Sequence, residues 1–176
     1  MRRGSCYNYM VTYIVEVDQS GKIEDTSRDT VLALANGVQL SLIIPAVIKR
    51  ECVHTLRESG VTGQTLYLQF FATALFFLLR NDLSVLPLVI IDIEYTGKDA
   101  QIKQHLYSLL QRAGFITDNE QIQFGYVGKK SPAHVLALSV FRGQKEADLT
   151  LTTKELLKEF GLRKKMQRRS GAKRRQ

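Results

Sequence analysis

Asn36-Gly37 stands between two apolar runs, TVLALA (30–35) and VQLSLII (38–44). An Asn-Gly pair in that setting predicts a β-hairpin closed by a type I′ turn, with both turn residues at positive φ. This commits the first part of the chain to antiparallel pairing. Residues 11–17, VTYIVEV, alternate and are rich in β-branched and aromatic types, so they read as a strand ending at Asp18. Polar, turn-like sequence from Gln19 to Asp29 separates this strand from the hairpin.

The pattern then changes. Pro45 suits a first helical turn, and AVIKRECVHTLRES runs on to Ser59-Gly60. Thr62–Leu79 is helical and apolar nearly all round, so it reads as buried. LVIIDIEY (88–95) is a strand-length apolar run interrupted by two acids. Ile102, Leu106, Leu109 and Leu110 mark a helix over 98–113, with Gly114 as its C-cap. QIQFGYVG (121–128) reads as a fifth strand. Ser131-Pro132 opens another helix, with Ser131 as N-cap, and Thr152 or Thr153 caps a last helix ending at Phe160. Three antiparallel strands followed by βαβ units give an α/β fold: a five-stranded mixed sheet with helices on both faces.

Charge divides the chain. Arg163–Gln176, RKKMQRRSGAKRRQ, holds eight Lys/Arg and no acid. Removing those eight from the 25 basic residues leaves 17 against 17 acidic ones, so the net +8 belongs to the tail. We therefore divide the chain into one domain, 1–162, and a basic tail, 163–176, expected to be disordered. A cationic tail without Trp, Phe or Leu favours nucleic-acid phosphates over a membrane face. Arg163, Lys164, Lys165, Arg168 and Arg169 are its candidate contacts. Phe70–Leu79, the longest apolar run, is too short to span a bilayer. Cys6 and Cys52 have no metal-ligand spacing, and MRRGSCYNYM has no apolar signal segment, so a cytoplasmic chain with reduced thiols is expected.

Acids inside strands carry the chemistry. Asp and Glu are poor strand formers, and a carboxylate in an apolar strand is costly unless paired, hydrogen-bonded or on a metal. Asp18 ends the first strand, and Asp92 and Glu94 interrupt the fourth. By the period of two, Asp92 and Glu94 share a face, as do Glu16 and Asp18.

These residues resemble the ribonuclease H-like superfamily, which includes ribonuclease H, RuvC-type resolvases and DDE transposases. VEVDQSG (15–21) is similar to its first strand, which ends in Asp before a small-residue turn. VIIDIEY matches its fourth strand at Asp92, and Glu51 in IKRECVHTL falls near the acid of its first helix. FGYVGKKSPAHVLAL is similar to its fifth strand, glycine- and lysine-containing loop and final helix, except that His134 replaces the helix acid. The resemblance covers about residues 11–143 and rests on the order of elements with single-residue motifs.

The resemblance implies a hydrolase: a nuclease cleaving phosphodiesters with two Mg²⁺ or Mn²⁺ ions. Asp18 would bridge the ions, Asp92 and Glu51 would each hold one, and His134 would ligate the second or orient the leaving group. Glu94 substitutes for Glu51 if the helix register differs. Lys129, Lys130 and Ser131, after a glycine and before a helix, offer ammonium and N–H groups to a phosphate. The alternative is the same fold with an inactive site, binding RNA, DNA or a hybrid without cleaving it. Resolvase relatives act as dimers, so a homodimer is a further expectation.

Overall fold

A computed structural model describes residues 13–116 and 118–162. The chain is α/β. In order it forms β1 (Ile14–Ser20), β2 (Thr30–Ala35), β3 (Leu40–Ile44), α1 (Ala46–Glu58), α2 (Gly63–Leu79), β4 (Leu88–Asp92), α3 (Asp99–Arg112), β5 (Ile122–Gly125), α4 (Pro132–Phe141), β6 (Leu149–Thr150) and α5 (Thr153–Glu159). One sheet runs β5-β4-β1-β2-β3-β6. β2 pairs antiparallel with β1 and β3, and the pairs β1–β4, β4–β5 and β3–β6 are parallel.

The period of two sorts the strand residues between two cores. Val15, Val17, Leu32, Leu34, Val89 and Ile91 join the larger core, with α1, α2, α3 and α5. Val31 and Ala33 face the other way, onto Leu136, Ala137 and Val140 of α4. Twelve of the 17 residues of α2 are buried, as its apolar composition predicts. At about 1.5–3 kcal/mol per large apolar side chain, α2 is the main anchor of that face. α4 lies along β1, β2 and β3.

Several expectations are corrected. Among the described residues the sheet has six strands rather than five; β6 is two residues long, too short to leave a periodic signal. Asn36 and Gly37 do take positive φ, 85° and 92°. However, Leu34 pairs with Leu40, so the connection is longer than the two-residue type I′ turn expected from Asn-Gly. β1 runs on to Ser20, which puts Asp18 inside the strand rather than at its end. Gly21 follows directly at φ +78°, where a Cβ would lie 2.3 Å from the Asp29 carbonyl oxygen. No other residue fits that turn. Cys52 is buried, and burial pushes its thiol up to about 12, so it is inert. The tail residues Arg163, Lys164, Lys165, Arg168 and Arg169 lie outside the described residues, as do Cys6 and the predicted strand's first two positions. Among the described residues, no helix is long and apolar enough to cross a membrane.

Candidate functional site

Glu16 and Asp18 point to the α4 side of the sheet, alternating with Val15 and Val17 in the core. β4 lies beside β1, with Glu16 opposite Ile90 and Val17 opposite Ile91. This register brings Asp92, at the end of β4, next to Asp18. Glu94 follows two residues later. One ligand atom from each of Asp18, Asp92 and Glu94 lies within 4.8 Å of the others.

Backbone and side-chain contacts fix the cluster. Asp92 Oδ1 accepts the Val127 N–H at 2.7 Å, which ties β4 to the connection after β5. His134, in the first turn of α4, places Nδ1 3.0 Å from Asp18 Oδ2. An ionised carboxylate only accepts, so against ionised Asp18 it is the Nδ1–H that donates. Ser131 caps α4 by accepting the Ala133 N–H at 3.1 Å, and its hydroxyl donates to Glu16 Oε2 at 2.5 Å. Three contacts thus dock the start of α4 and the preceding loop onto the carboxylates of β1 and β4.

The carboxylates strain one another. Burial raises the Asp18 carboxyl above its ordinary range; His134 opposes this and the charge of Asp92 adds to it. Burial also pushes Glu94 up to about 7, with the charges of Asp92 and Asp18 reinforcing it and Lys22 pulling the other way. A cation would relieve this like-charge crowding. Three carboxylates are hard oxygen donors of the kind Mg²⁺ and Mn²⁺ take. The donor set therefore fits the implied ions.

The structure does not bring every expected residue here. Glu51 is exposed on α1, where Oε2 accepts from the Thr153 hydroxyl at 2.5 Å. The buried stripe of α1 is Lys49, Cys52, Val53 and Leu56, on the far side of the sheet, and Glu51 lies off that stripe, toward α5. Glu94 takes the third position instead. His134 meets the cluster through Asp18 and is not among the converging ligand atoms. Ser131 is buried and its hydroxyl is committed to Glu16 and the helix cap, which removes it as a phosphate contact. Lys129 and Lys130 are exposed two and three residues beyond Val127. Sequence reasoning missed Lys22 and the Val127 N–H; a backbone donor and a loop lysine leave no pattern to find. Comparisons with protein-family models, curated proteins and solved structures found no match.

Proposed function

We propose that this chain is a ribonuclease H-like, divalent-metal-dependent nuclease that hydrolyses nucleic-acid phosphodiesters. The observation that carries the reading is the convergence of Asp18, Asp92 and Glu94 within 4.8 Å. It is supported by the order of elements, an antiparallel trio continued by parallel strands through helices.

Asp18, Asp92 and Glu94 would hold Mg²⁺ or Mn²⁺. Bound ions of this kind supply an activated water and neutralise charge on the leaving oxygen. The chain's own residues supply the positioning. His134 fixes the rotamer of Asp18, and the Val127 N–H fixes Asp92. Lys129 and Lys130 offer ammonium groups to backbone phosphates at the rim.

One contact favours a second reading, a nucleic-acid-binding module without cleavage. The His134 ring occupies one oxygen of Asp18, where the resemblance implies an acid. A thermal melt with and without Mg²⁺ and Mn²⁺, on the wild type and Asp18→Asn, separates the two. Ligands that bind only the folded state raise the midpoint by mass action. The nuclease reading predicts a metal-induced rise lost in Asp18→Asn, and cleavage of single strands, duplexes or hybrids by the wild type alone. Cleavage by Asp18→Asn at the wild-type rate would sink the assignment. Nucleic-acid binding with neither a metal shift nor cleavage would leave the binding module.

A further inference from the structure

The loop between β5 and α4 has a fixed backbone and an exposed tip. Its start is held by the Val127 N–H on Asp92, and its end by Ser131 on Glu16. The Ser131 N–H also donates to the Gly128 carbonyl at 2.8 Å, closing a tight turn. Yet Tyr126 is 89% exposed, and Gly128, Lys129 and Lys130 are exposed as well.

Tyr126 stands apart from three other tyrosines. Tyr67, Tyr95 and Tyr107 are half-buried, and each hydroxyl is hydrogen-bonded to Arg57, Glu24 or the Asp118 carbonyl. Tyr126 has its ring in solvent one residue from the N–H that holds Asp92. The sheet beside it is open: Ile90 is half-buried, Gln123 is exposed, and Gly125 carries no side chain.

We infer that this loop grips a single-stranded nucleic acid, with Tyr126 stacking on an unpaired base and Lys129 and Lys130 pairing with the flanking phosphates. The inference rests on the nucleic-acid reading of the neighbouring carboxylates and names the substrate form. A duplex hides its base faces in its own stack, so a protruding ring finds a π-face only on an unpaired base. A protein partner fits less well, because interface cores are depleted in lysine. Two ammonium groups within four residues of a free aromatic ring match the phosphate–base alternation of a single strand.

The test measures binding apart from cleavage. Fluorescence anisotropy in metal-free buffer at about 0.15 M salt, where long-range attraction is screened, compares a labelled mixed-sequence single strand with its own duplex. Full-length wild type, Tyr126→Ala and Tyr126→Phe are titrated, so the basic tail contributes equally to each. The wild type should prefer the single strand. Tyr126→Ala should weaken that affinity about tenfold, with little change for the duplex, and Tyr126→Phe should retain it. Equal single-strand affinity for Tyr126→Ala and wild type, a wild-type preference for duplex, or no single-strand binding would overturn the inference. Because no metal is present, a failed nuclease assignment appears in the melt and cleavage assays, not here.

Discussion

Lys49 heads the fully buried large side chains, on the first turns of α1. Its Nζ donates to the Lys22 carbonyl at 2.9 Å, the Asp25 carbonyl at 2.7 Å and Thr30 Oγ1 at 2.7 Å. One ammonium thereby anchors the β1–β2 connection that carries Lys22 toward Glu94. Burial pushes it down to about 8, against the pull of Asp25, Asp29 and Glu24. Between that value and the ordinary lysine range the native chain has lost a proton that the unfolded chain keeps. Stability attributable to Lys49 therefore rises with pH through this window, and below it the charged form bears its desolvation cost. Lys49→Met should still destabilise the chain at neutral pH, by about 2 kcal/mol, because the Asp25 carbonyl and the Thr30 hydroxyl lose a donor. Urea melts of both proteins from pH 7 to about 10.5 should show the gap widening; a constant gap would mean that Lys49 does not titrate in the native state. Single residues of this kind differed in how plainly the sequence marked them. Asp18 and Asp92 were legible because an acid in an apolar strand demands an explanation. Glu51 misled because its place in the chain resembled a family position, while the face of its helix, set by Cys52, Val53 and Leu56, turned it away.

At the scale of elements, α4 links the sheet to the site. It was legible from Ser131-Pro132, and the structure bears out both the Ser131 cap and Pro132 at the first turn. The sequence could not disclose that the same hydroxyl also reaches Glu16, 115 positions away. Ser131→Ala should cost about 1–2 kcal/mol, the loss of an N-cap plus a released carboxylate partner. Ser131→Thr should recover most of it. Chemical denaturation resolves the difference, and an unaffected Ser131→Ala would show that the contact contributes nothing. The five helices of the described residues were visible through apolar spacing and caps, down to the Thr152 cap of α5, which forms a capping box with Glu155. β6 escaped because its two residues pair with β3 across more than a hundred positions, and local pattern carries no such information.

At the scale of the molecule, the fold gathers three like charges in one place. Residues 1–162 are balanced in charge, yet Asp18, Asp92 and Glu94 crowd together within 4.8 Å while the larger core forms on the opposite face. A chain optimised for stability alone would not assemble three carboxylates there, whereas functional sites commonly carry such a penalty. In metal-free buffer at pH 8, Glu94→Gln should therefore be more stable than the wild type. The expected gain is about 1 kcal/mol, or roughly 2–4 °C in midpoint at this chain length. Mg²⁺ should then raise the wild-type midpoint more than that of the variant and narrow the gap. Calorimetry with and without metal reads both effects. A less stable Glu94→Gln would mean that the carboxylate is held by favourable contacts, and the crowding would lose its significance as a mark of function.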